Sequence, residues 1–156
     1  MYTYSNIHTH PYGLGDKNDH LTMYKSNDPD NFAAWSLYPQ LKNIDKLNST
    51  VIDIREAKSE INSIGIKGFD LIKIDTEGAE YPIIKSMDSN LLKKTQLFVG
   101  ELHGNYDYEF LSYLNKIGFN IKTNIKVNKP HFMFYAINDK LLHKMTRKEI
   151  RTLNRL

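Results

Sequence analysis

Phe69-Asp70-Leu71-Ile72-Lys73-Ile74-Asp75-Thr76-Glu77-Gly78-Ala79-Glu80 is the stretch of this sequence whose reading decides the fold. Its first seven residues are short and mostly apolar, the pattern of a strand covered on both faces. The run ends on Asp75, turns through Thr-Glu-Gly, and enters a segment with Ala79, Ile83, Ile84 and Met87 on one side of a helix. Pro82 is tolerated only near a helix start, so regular helix is expected from about Ala79. Lys73 inside such a strand calls for an ion-pair partner, with Glu101 and Asp75 the candidates.

Working outward, Gln96 to His103 reads as a second buried strand, and Tyr108 to Ile117 as a helix closed by Gly118. Phe119 to Val127 and Phe132 to Ile137 read as an antiparallel pair. On the other side, Glu56 to Ile64 predicts a short helix stopped at Gly65, and Ser49 to Ile54 and Leu21 to Tyr24 predict strands. Asn6 to His10 is a further strand candidate, running into the turn-rich Pro-Tyr-Gly-Leu-Gly-Asp. Strand, helix, strand, helix and two closing strands make an α/β fold with a parallel section. Ligands of such sheets sit beyond the carboxyl ends of the strands. If the two buried strands are neighbours, that rule gathers Asp75, Glu77, Glu101 and His103 at one edge.

Composition narrows the function classes. The chain has 156 residues, 40% hydrophobic and 25% charged, and no apolar run of the roughly 20 residues that cross a bilayer. It has no cysteine, which excludes disulfides, thiolate metal sites and a cysteine nucleophile, and makes a cytoplasmic setting the default. The formal charge of +3 is uneven. Residues 140–156 hold Lys140, Lys144, Arg147, Lys148, Arg151 and Arg155 against the acid Glu149. The remainder is net acidic and carries no nucleic-acid signature. Residues 1–139 therefore read as one domain, and residues 140–156 as a basic amphipathic helix with Leu142, Met145, Leu153 and Leu156 in phase. That helix either docks its apolar stripe on the core or binds a membrane surface or partner, and with six cations and a modest apolar stripe, core docking or solvent exposure is favoured.

Asp70-Leu71-Ile72-Lys73-Ile74-Asp75-Thr76-Glu77-Gly78-Ala79-Glu80 resembles the central motif of FkbM-type methyltransferases. Gly13-Leu14-Gly15-Asp16-Lys17, Ser36-Leu37 and Glu101-Leu102-His103 are similar to three further segments of that family, in the same order. The resemblance runs from about residue 6 to residue 137 and implies a Rossmann-like class I methyltransferase fold using S-adenosylmethionine. It implies O-methylation of a small hydroxylated or sugar acceptor. It also implies that the first two strands and the glycine-rich cofactor loop are absent, so that this is the N-terminally truncated part of such a domain. On that expectation cofactor binding is incomplete in this chain. A strand edge is then left open to self-association or to a complementing N-terminal half.

The resemblance assigns Gly15, Asp16 and Asp75 to the cofactor, and Asp75, Glu77, Glu101 and His103 to catalysis. Chemistry agrees for the last pair: Glu101 and His103 are two apart on a strand and face one side. A carboxylate orients an imidazole and strengthens it as a base, which makes His103 the candidate base and Glu101 its orienting or acceptor-binding partner. Asp75 and Thr76 also suit a helix N-terminus, and Glu77 and Glu80 suit its dipole. Two readings from other classes remain open. One is a catalytically dead interaction module or half of a split enzyme. The other is a metal-dependent hydrolase in which Asp75, Glu77, Glu101 and His103 hold a divalent ion, although no compact ligand motif supports a metal.

Overall fold

A computed structural model describes residues 5–27, 35–36, 44–76, 78–104, 106–124, 131–142 and 146. Glu77, Leu37 and most of the basic segment 140–156 lie outside the described residues, as does the end of the strand read over 119–127. There are two four-stranded sheets, and the main core lies on the second, with Leu14 of the first packed against it. The first combines β1 (Gly13–Gly15), β2 (Asp19–Ser26), β3 (Trp35–Ser36) and β4 (Ile44–Glu56) in the order β1-β4-β2-β3. After α1 (Ala57–Ser63) comes the second sheet, built from β5 (Leu71–Ile74), β6 (Leu97–Leu102), β7 (Phe119–Asn124) and β8 (Phe132–Asn138). Its order is β5-β6-β8-β7. The helices α2 (Glu80–Ser86), α3 (Ser89–Leu92) and α4 (Asp107–Lys116) connect those strands, and α5 (Asp139–Leu142) follows β8.

The α/β reading holds, and so does the side-by-side placement of the two key strands. β5 runs parallel to β6, with Leu71 opposite Leu97 and Ile74 opposite Gly100. β6 is antiparallel to β8, and β8 to β7. The core forms where α2 and α4 cover one face of this sheet. Alternation along β6 buries Phe98, Gly100 and Leu102, and α4 presents Phe110 and Leu114 at a four-residue spacing. Phe98 meets Phe119 edge-on at 5.0 Å, and Phe110 meets Phe134 edge-on at 5.2 Å. Each of these four rings is at most 1% exposed. Burying such a ring is worth about 1.5–3 kcal/mol. Ser86 at the end of α2 donates to the Ile83 carbonyl at 2.8 Å and lies 3.4 Å from the Gly15 carbonyl, while Leu14 of β1 packs against the core, so the first sheet abuts it there.

Three expectations change. The strand at Phe69–Asp75 is shorter and covered on one face only: Ile74 is buried, while Leu71 is 52% exposed and Lys73 is also exposed. Lys73 therefore needs no buried partner, and its Nζ lies 3.5 Å from Asp75 Oδ2 near the surface. Residues 6–10 form no strand. The strand falls instead on Gly13–Gly15, inside the stretch that reads as a turn, because a Cβ on either glycine would come within 2.6 Å of Ile54. Those glycines permit close packing on β4 rather than a reversal. His10, one of two histidines in that lost strand, bonds Tyr12 through Nδ1 at 2.8 Å.

Gly100 sets the distance between β5 and β6. A Cβ there would overlap the backbone carbonyl oxygen of Ile74, and it would also press on the Phe134 ring. Gly100→Ala is expected to cost about 1–3 kcal/mol or more as an overpacked core position, read as a lowered urea midpoint. Among the described residues β5 pairs on one side only. An open edge of this kind pairs readily with another chain. Self-association rising with concentration is expected in light scattering, and Leu71→Lys should weaken it; a monomer at all concentrations would refute this.

Candidate functional site

The site is a consequence of parallel pairing. Because Ile74 and Gly100 are opposite one another, the chain leaves both strands at the same edge. Asp75 is the first residue beyond β5, Glu101 lies in the last pair of β6, and His103 follows directly. One ligand atom from each of Asp75, Glu101 and His103 lies within 4.8 Å of the other two. Three of the four catalytic candidates thus meet, and Glu77, the fourth, is outside the described residues.

The partners differ from the expected ones. His103 Nδ1 lies 3.1 Å from Glu80 Oε1, and His103 Nε2 lies 3.8 Å from Asp75 Oδ1. Glu101 instead meets His131, Oε1 to Nε2 at 3.2 Å. The orienting carboxylate of His103 is therefore Glu80. His131 was missed because no spacing rule connects it to His103. Register connects it: Phe132 opposes Leu102, so the preceding residue falls beside His103, with ring centroids 5.8 Å apart.

Glu80 is the first residue of α2 and only 3% exposed. Its Oε1 accepts the Thr76 N–H at 3.0 Å and the Gly78 N–H at 3.2 Å. Burial works to raise its pKa, yet hydrogen bonds from its own N–H, Thr76, Gly78 and His103 outweigh that and hold the carboxyl below its ordinary range. On the far side of His103, Asp107 accepts the Gly104 N–H at 3.1 and 3.2 Å. Burial pushes the Asp107 carboxyl up, against the pull of that bond. The strand tips thus carry one firmly ionised buried carboxylate, an imidazole and two more accessible acids.

Gly15 and Asp16 are not brought to this cluster. Gly15 meets α2 at its last residue, Ser86, whereas Glu80 at its first residue meets His103. Six residues of helix rise about 9 Å, so the two places lie at opposite ends of α2. An open cleft of about 600 Å³ lies elsewhere, between β4 and α1, lined by Asp19, Asp53, Arg55 and Glu60 among others. It contains none of the candidates.

The profile of the Methyltransferase FkbM domain matches residues 3–141. The chain belongs to the FkbM methyltransferase family. Searches of curated proteins and of solved structures return no match. Membership makes this FkbM domain a methyltransferase in general terms, and the family suggests S-adenosylmethionine as its methyl source. No helix among the described residues is long and apolar enough to cross a membrane.

The Glu80 carboxyl ties acid stability to the site. Its folded-state pKa lies below the ordinary 4.5, so its contribution is complete above that value and lost as pH falls through the folded-state value. Hydrogen bonds to a charged group are worth about 1.5–3 kcal/mol. Glu80→Gln should therefore be less stable than the native FkbM domain at pH 7, with the gap closing in acid. Urea melts at pH 7 and below the carboxylate range measure it; a gap unchanged by pH would refute the assignment.

Proposed function

We propose that this FkbM domain carries a methyl group from S-adenosylmethionine to a hydroxyl of a small hydroxylated or sugar acceptor, in a cytosolic setting. The observation that carries the reading is the meeting of Asp75, Glu101 and His103 at two adjacent parallel strand ends. Such ends are where ligands of α/β sheets bind.

The β5 tip fits the cofactor's amino-acid end. Asp75 is an exposed carboxylate, suited to an ammonium group. The neighbouring Thr76 Oγ1 is buried without a hydrogen-bond partner among the described residues. A buried hydroxyl of that kind is costly unless a ligand completes it. In the proposal Gly15 and Asp16 serve the nucleoside end, and the opposite ends of α2 suit an elongated cofactor. S-adenosylmethionine supplies an electrophilic methyl group. The protein's own residues deal with the acceptor, whose oxygen gains the methyl and gives up its proton. In this reading His103 takes that proton, Glu101 holds the acceptor hydroxyl, and Glu77 is a further catalytic acid assigned by the family motif alone. A positioned base of this type contributes about 10²–10⁴ in rate.

Calorimetry with S-adenosylmethionine decides whether the chain binds alone or needs a glycine-rich strand–turn–helix unit in cis or in trans. Transfer of labelled methyl to a panel of sugars and other hydroxylated acceptors is then measured on the binding-competent protein. His103→Ala should slow transfer by about 10²–10⁴ while leaving cofactor affinity intact. Full-rate transfer by His103→Ala would remove the base, and failure to bind the cofactor in either form would remove the reading.

A further inference from the structure

Glu80 is a buried acid whose charge stays in place. One of its oxygens, Oε1, receives two backbone N–H groups from the turn that ends β5 and also meets an imidazole belonging to the end of β6. A carboxylate that only started a helix would need no contact with the neighbouring strand. The contact joins the two halves of the site: Thr76 and Gly78 flank the exit from β5, and His103 is the exit from β6.

We propose that Glu80 is the positioning residue of this site, holding His103 as the Nδ1–H tautomer so that its basic Nε2 is turned toward Asp75. The tautomer follows from donor and acceptor logic. Thr76 N–H and Gly78 N–H donate to Oε1, so that oxygen is an acceptor toward both. An ionised carboxylate has no proton to give, so the nitrogen 3.1 Å away must carry one. In a neutral imidazole the other nitrogen is then the acceptor. That nitrogen, Nε2, lies 3.8 Å from Asp75 Oδ1, and Asp75, Glu101 and His103 form one group at the strand tips. Glu101 does not fill this role, because it meets His131 at 3.2 Å. The acid that follows the β5 turn, and not the one two residues before the histidine, fixes the imidazole.

What the aimed nitrogen does rests on the methyltransferase reading; which nitrogen is aimed does not. The test is a two-bond ¹H–¹⁵N spectrum of the histidine rings of the full chain at neutral pH, with His103 assigned by its loss in His103→Ala. The native protein should show His103 protonated on Nδ1 and bare on Nε2. Glu80→Gln keeps a carbonyl oxygen in place and should keep that tautomer. Glu80→Leu should release the ring to the Nε2–H form that an unconstrained imidazole prefers. An Nε2–H ring in the native protein overturns the proposal, and so does an unchanged tautomer in Glu80→Leu. Should Glu80→Leu fail to fold, the native and Glu80→Gln spectra still decide, since Nε2–H in either is fatal. In the transfer assay, Glu80→Leu should lower kcat tenfold or more with KM for S-adenosylmethionine unchanged, and Glu80→Gln should recover most of it. A parallel rise in KM in both variants would mark Glu80 as a structural residue only and overturn the positioning role. If no methyl transfer occurs at all, the tautomer alone judges Glu80, and only the methyltransferase reading falls.

Discussion

The contact on which the rest depends is between two backbones. Gly100 lies so close to the Ile74 carbonyl that only a residue without a side chain fits. This closeness holds β5 and β6 in their register; the parallel direction brings both chains out at one edge, and the register sets Asp75 level with Glu101. In a parallel pair a slip of one residue turns every side chain to the other face. Glu101 would then point into the Phe98–Leu102 core, and the site would not exist. A steric constraint in the middle of the sheet thus places the polar chemistry at its end.

A second constraint acts at that end. The turn after β5 must satisfy its N–H groups, and Glu80 does so from inside the protein at 3% exposure. Burying a carboxylate is costly unless donors surround it, and His103 supplies one of them. Folding and site geometry are therefore coupled. The same hydrogen bonds that make the buried charge tolerable also fix the direction of the imidazole. Asp107 plays a lesser version of this part, receiving the Gly104 N–H just beyond His103 and starting α4.

How much was legible in the sequence follows from how local each feature is. The 69–80 run announces its strand and helix because period and turn chemistry are written in consecutive residues, and its family motif is likewise contiguous. The meeting of Asp75 with Glu101 and His103 was readable one step further, since it needs only that neighbouring strands pair in parallel. Their partners were not readable. Whether Glu80 reaches His103 depends on the path of the 75–80 turn, and whether His131 reaches Glu101 depends on the β6–β8 register, neither of which has a sequence period. Gly13–Gly15 misled for a related reason. Glycine marks a reversal and a close packing surface alike, and only the position of Ile54 distinguishes them. Lys73 misled because alternation in a four-residue strand is too short to separate one covered face from two.

These partner swaps change what the acids are for. With Glu101 orienting His103, the site would have one working pair, and Asp75 would stand apart as a binding group. With Glu80 in that place, the orienting charge is buried and fixed, while Glu101 and Asp75 stay partly accessible, their side chains 27% and 38% exposed. A buried carboxylate behind the imidazole and accessible ones before it is the arrangement expected where a ligand hydroxyl must approach Nε2. The reverse placement would aim the ring's basic nitrogen into the core, where no substrate can follow. Burial of Glu80, more than the presence of any single acid, is therefore what gives this strand edge a direction toward which chemistry can occur.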